Sequence, residues 1–187
     1  MNRRIAGIFG TWRAPPDSPI YRAATEIGKV AARYNFSVLT GAYSGIMEAA
    51  VRGAREEGGQ TIGYSWTKLD GVLSTNDYLD RVVPFTTAEQ RMARLVGDAD
   101  ICVFFPGRTG TIAELALATE LRAKDEKSAP LVLFGEFWVG FFSWLEQSNN
   151  ALGFSTDASA PELYTIVRDA NDFERYLGRY EHLWHQQ

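Results

Sequence analysis

Two histidines and one cysteine are all this 187-residue chain has of the residues that most often hold zinc or form nucleophile and base pairs. A single cysteine excludes an internal disulfide. Cys102 lies inside an apolar run with no histidine nearby, which predicts a buried, inert thiol. His182 and His185 stand beside Trp184 in the C-terminal segment, where a packing or solvated role is expected in place of acid–base chemistry. No histidine, cysteine or carboxylate cluster has metal-ligand spacing, so no metal site is expected. Apolar runs also fall well short of the roughly 20 residues that span a bilayer, so no membrane partner is expected. The start, Met1-Asn2-Arg3-Arg4, leads into a strand-like segment and does not resemble a signal peptide; the expected location is cytoplasmic. The 19 basic and 23 acidic residues are spread without long blocks, leaving no electrostatic footprint for nucleic acid. With 45% hydrophobic and 22% charged content, residues 1–187 read as a single globular domain with a sizeable core.

The most informative stretch is Pro106-Gly107-Arg108-Thr109-Gly110-Thr111-Ile112-Ala113-Glu114, which follows an apolar run over 101–105 and opens a helix-like segment. Glycines and small hydroxyl residues at a strand-to-helix turn leave N–H groups free for an anion, and the helix adds its positive end. Glu114 would then stand beside whatever the anion is attached to. Thr111-x-x-Glu114 also matches a capping box, in which the two side chains satisfy the helix's own first amides. Both readings are open at this level.

Short apolar strands are predicted over 5–9, 37–40, 61–64, 81–85, 101–105, 130–134 and 163–167, with amphipathic helices between them. Residues 66–79 are too polar and irregular for more than a long connection. The alternation implies an α/β, doubly wound, mostly parallel Rossmann-like sheet with helices on both faces, whose ligands bind at the carboxyl ends of the strands. Three glycine loops fall at such ends: Gly10-Thr11, Gly41-Ala42-Tyr43-Ser44-Gly45, and the loop around Gly107. The first lacks a full G-x-G-x-x-G fingerprint and the second strand lacks a closing acidic residue, which disfavours a nicotinamide dehydrogenase. Phe134, Phe137, Trp138, Phe141, Phe142 and Trp144 recur at helical spacing and are assigned to packing in the core or at a subunit interface. Tyr43, an aromatic inside a glycine loop, either contacts ligand or packs the loop.

Pro106-Gly107-x-x-Gly110-Thr111-x-x-Glu114 resembles the PGGxGTxxE signature of the LONELY GUY proteins. The likeness extends from Ile8-Phe9-Gly10-Thr11, through the glycine loop and helix over 39–53 and Arg91 at the arginine of the HERK-like segment, to the strand and aromatic helix over 132–145. This resemblance implies a phosphoribohydrolase that cleaves the N-glycosidic bond of a nucleoside 5'-monophosphate, AMP or a cytokinin nucleotide, to free base and ribose 5-phosphate. It implies a homodimer and no metal or organic cofactor. Glu114 would stabilise positive charge on the sugar and orient or deprotonate water, as carboxylates do in glycosidases. Arg91 would hold phosphate, assist the leaving base or orient Glu114, the alternative being a surface arginine paired with Glu89 or solvent. Phosphate would fall to Gly107, Arg108, Thr109, Gly110 and Thr111, with Gly10, Thr11, Gly41, Ser44 and Gly45 alongside.

Departures from the signature bear on function. Arg108 replaces the second glycine of PGG, Ala113 replaces the first acid of the usual EE pair, and the HERK-like segment reads Glu89-Gln90-Arg91-Met92. Arg108 either contacts an additional anionic group or points to solvent. Molybdenum-cofactor carriers and nucleotide sensors resemble these enzymes closely, so a non-catalytic nucleotide or molybdenum-cofactor carrier is the alternative expectation.

Overall fold

The computed structural model describes residues 3–69, 71–125, 128–154 and 163–184. His185 and the side chain of His182 lie outside the described residues. Seven strands form one sheet: β1 (Arg4–Phe9), β2 (Phe36–Thr40), β3 (Thr61–Trp66), β4 (Arg81–Phe85), β5 (Ile101–Phe104), β6 (Leu131–Phe134) and β7 (Tyr164–Val167). Among the described residues six helices accompany them: α1 (Pro19–Arg33), α2 (Ile46–Glu56), α3 (Ala88–Gly97), α4 (Thr109–Lys124), α5 (Phe137–Ala151) and α6 (Ala170–Trp184). A 3-10 turn over Thr67–Leu69 follows β3.

Every strand pair is parallel, in the order β4-β3-β2-β1-β5-β6-β7. The chain winds outward from β1 in one direction, returns, and winds outward from β5 in the other. β1 and β5 are therefore the switch point, and the loops leaving their carboxyl ends diverge to open a crevice.

Strand period decides which face each side chain covers. Ala6, Ile8, Val38, Ile101, Val103 and Val132 pack with α1, α2 and α6 on one face. Phe9, Leu39, Cys102, Phe104, Leu131 and Leu133 pack with α3, α4 and α5 on the other. Because both faces are covered, the strands read as continuous apolar runs. Cys102 is buried, and burial pushes its thiol up to about 12, so it is inert at neutral pH.

A capping box at Thr111-x-x-Glu114 would make Thr111 the N-cap of α4; the helix instead starts at Thr109, with Arg108 as N-cap and no side-chain cap. Thr111 sits inside the first turn and Glu114 beyond it, so the expected capping box does not form. The aromatic helix divides in two. Trp138 and Phe142 are buried, with Trp138 Nε1–H donating to Phe104 O at 3.1 Å, whereas Phe137 and Trp144 are 55% and 62% exposed.

Glycine determines how closely α1 and α2 approach. A Cβ at Gly28 would run into the carbonyl oxygen of Ala50, and one at Gly53 into that of Thr25. Both partners are backbone, so neither can move aside without shifting a helix. Gly28→Ala and Gly53→Ala are each expected to cost about 1–3 kcal/mol, read as a lower urea midpoint; an unchanged midpoint would contradict this helix contact.

Candidate functional site

The three glycine loops converge at the switch point as one hydrogen-bonded body. Thr11 N–H donates to Pro106 O at 3.2 Å, Ile46 N–H donates to Thr11 O at 3.0 Å, and Ser44 Oγ–H donates to Trp12 O at 3.0 Å. Between them lies a cleft of about 590 Å³, within the range of small-molecule sites.

Glycine is required at several of these positions. A Cβ at Gly10 would stand 2.8 Å from the Ile46 side chain, and Gly45 adopts φ +67°, with Thr11 O where its Cβ would be. A Cβ at Gly107 would collide with Thr111 Oγ1, and one at Gly41 with the Arg91 guanidinium. Gly10, Thr11, Gly41, Arg91, Arg108, Thr109, Gly110, Thr111 and Glu114 all line the cleft. Ser44, Gly45 and Gly107 are not among the lining residues; Ser44 ties its loop to Trp12, and Gly45 turns beside Thr11 O. Thr109, Gly110 and Thr111 form the first turn of α4, whose amides have no helical partner and are available to an anion.

Arg91 is not the solvated helix arginine of the plain alternative, nor is it paired with Glu89. Its Nε–H donates to Tyr64 O at 2.6 Å and its terminal amine to Gly41 O at 2.9 Å, so it ties the ends of β2 and β3 together. The guanidinium lies 5.7 Å from the centre of the Tyr43 ring. Burial pushes its pKa downward, opposed by the charge of Glu114.

Tyr43 is 4% exposed and contributes to the cleft wall. Its hydroxyl accepts from Trp66 N–H at 2.9 Å and donates to Trp66 O at 3.3 Å, a double tie to the end of β3. Tyr43 therefore packs the loop, and it also presents its surface to the cleft.

Glu114 is half-buried and makes no hydrogen bond or ion pair among the described residues. Burial pushes its carboxyl from the ordinary 4.5 up to about 7, and the Arg91 charge only partly opposes this. Near neutral pH the group is thus divided between its neutral, donating form and its ionised form.

The sequence missed Trp12 and Arg13, the latter lying 4.8 Å over the Trp12 ring, together with Met47 and the wall of Trp66, Leu69, Val72 and Leu73. An aromatic–arginine pair directly after Gly10-Thr11 was the available signal for the first two. The wall lies in the irregular stretch before β4, held by Asn76 Nδ2–H bonds to Ala42 O and Tyr43 O, each at 3.0 Å. Among the described residues no group of three His, Cys, Asp or Glu side chains is placed to hold a metal ion.

A parallel sheet of this order with a glycine-lined cleft at its switch point defines a Rossmann-like protein with a candidate ligand cleft. The chain belongs to the SLOG cluster4 family, whose model matches residues 3–134. It is 29% identical to an uncharacterized protein of Archaeoglobus fulgidus over 112 residues, 60% of this chain and 71% of that one. The molybdenum cofactor binding protein of Rippkaea orientalis has a similar structure, with TM-score 0.74, 21% identity, and 97% and 99% of the two chains covered. The molybdenum cofactor carrier protein of Chlamydomonas reinhardtii aligns with TM-score 0.71, 25% identity and the same coverages. The LONELY GUY likeness thus lies within a broader family that these comparisons do not narrow to that enzyme.

A carboxyl pKa raised by folding has a calculable sign. Between 4.5 and about 7 the native protein binds the Glu114 proton and the unfolded chain does not, so stability falls as pH rises through this window. Glu114→Gln, which mimics the neutral form, is expected to raise the urea midpoint near pH 8 and to leave it almost unchanged near pH 4. An equal effect at both pH values would contradict the burial of this carboxyl.

Proposed function

We propose that this protein binds and carries a phosphorylated ring compound of the nucleotide or molybdenum-cofactor type. The observation that carries this reading is the condition of the two residues that hydrolysis would need. Arg91 is committed to two backbone carbonyls, and Glu114 has a pKa near 7. A phosphate bound at the α4 amides would raise the Glu114 pKa further by like-charge repulsion. A neutral carboxyl stabilises a cationic sugar poorly but can donate a hydrogen bond to a ring nitrogen or oxygen. Phosphate would occupy the first turn of α4, and the ring would lie among Trp12, Tyr43 and Trp66. The likeness to a molybdenum cofactor carrier at 25% identity agrees with this reading. A homodimer is the expected assembly, and the exposed Phe137 and Trp144 on α5 supply an apolar surface for it.

The second reading is the phosphoribohydrolase, favoured by the presence of Glu114 and the α4 amides in one cleft. Its rate would rise with pH through about 7 as Glu114 ionises. The two readings separate in one experiment. Small molecules released from the purified protein by denaturation are identified by mass spectrometry, and the protein is incubated with a panel of nucleoside 5'-monophosphates. A carrier yields a bound phosphorylated pterin or nucleotide and leaves the panel intact. Free base and ribose 5-phosphate, lost in Glu114→Gln, would overturn the carrier reading and establish the hydrolase.

A further inference from the structure

Arg108 occupies an unfavourable place unless something negative meets it. Helix N-caps favour Ser, Thr, Asp or Asn, whose oxygens accept from the first amides. Here an arginine stands at the N-cap of α4, makes no cap bond, and is followed by a first turn without an acidic residue. Its charge therefore adds to the positive end of the helix instead of offsetting it. Arg13 brings a second guanidinium to the same cleft from the β1 loop. Its backbone N–H donates to Thr11 Oγ1 at 3.2 Å, and its side chain rests over the Trp12 ring. Among the described residues neither arginine has a carboxylate within ion-pairing distance. The cleft, about 590 Å³, has room beyond a mononucleotide.

Resting on the proposal that the cleft takes a phosphorylated ring compound, we infer that Arg13 and Arg108 form a second anion-binding subsite, so that a ligand with two linked phosphoryl groups is preferred over the matching monophosphate. The α4 amides hold one phosphoryl group by directed N–H donors. The two guanidiniums hold the next through charge-assisted, fork-shaped contacts that a single phosphate on the amides leaves unused. Support on Trp12 limits the freedom that Arg13 would otherwise lose on binding. Arg108 acts here as a selector of ligand charge, which a glycine in its place could not do.

The test is calorimetric titration of the intact protein with AMP, ADP, GMP and GDP at low salt. In at least one base pair of ligands the diphosphate is expected to bind about tenfold tighter than the monophosphate, the equivalent of one charge-assisted contact. That ratio is expected to fall toward one in Arg13→Ala and in Arg108→Gly, and to shrink as salt screens the rim. Equal affinities for mono- and diphosphate, or a preference that survives both substitutions, would overturn the second subsite while leaving the carrier reading intact. Absence of binding by all four nucleotides, together with no phosphorylated ligand released from the purified protein, would overturn both.

Discussion

The cleft depends on the backbone of Thr11. Its N–H is given to Pro106 O and its carbonyl receives Ile46 N–H, so one residue joins the loops that follow β1, β2 and β5. Only β1 can supply such a residue, because it alone neighbours both halves of the sheet at the switch point. The side-chain requirements at Gly10 and Gly45 follow from the same contacts, since Ile46 must approach Gly10 and Gly45 must turn at positive φ beside Thr11 O. The amides of α4 are consequently aimed by backbone hydrogen bonds and not by mobile side chains. Such donors need little reorganisation when an anion arrives, which favours binding and charge stabilisation alike.

Arg91 exerts the second constraint. Taking a guanidinium out of water is costly unless its donors are met, and here carbonyls of Gly41 and Tyr64 meet them while the Tyr43 ring lies near its face. Those carbonyls belong to the ends of neighbouring strands, so the arginine stiffens the cleft floor where β2 and β3 stop. Gly41 allows the approach, and the Tyr43 hydroxyl fastens the same region to Trp66. The arginine thus earns a structural explanation that its position in a signature segment did not reveal.

The sheet was legible because parallel strands covered on both faces leave unbroken apolar runs such as Ile101 to Phe104, and glycines mark where each run meets a helix. The loop residues were legible for the same reason. What was not legible had specific causes. Thr111 and Glu114 match a local capping pattern, yet α4 begins at Thr109 because the loop turns into the helix at Arg108 without a side-chain cap. The wall of Leu69, Val72 and Leu73 has no periodicity, since its shape comes from Asn76 reaching back to Ala42 and Tyr43 across more than thirty residues. No local rule encodes such a tie. Trp12 and Arg13 were visible as residues but not as wall, because their place depends on where the loop after β1 is held.

Carriage and hydrolysis place different demands on one carboxyl. A hydrolase needs Glu114 ionised beside the sugar while phosphate occupies the amides nearby, so it must offset both burial and like-charge repulsion with a cation close to the carboxylate. Arg91 is the cation within electrostatic reach, but two backbone carbonyls hold it, and its charge brings the Glu114 pKa down only to about 7. Arg13 and Arg108 line the same cleft, but Arg91 is the cation whose charge acts on Glu114. Under the carrier reading, positive charge at the anion end and a carboxyl that bound phosphate shifts toward its neutral form would favour retaining a ligand over cleaving it. The balance turns on a single proton, which explains how one sheet and one set of glycine loops can support both chemistries within the same family of folds.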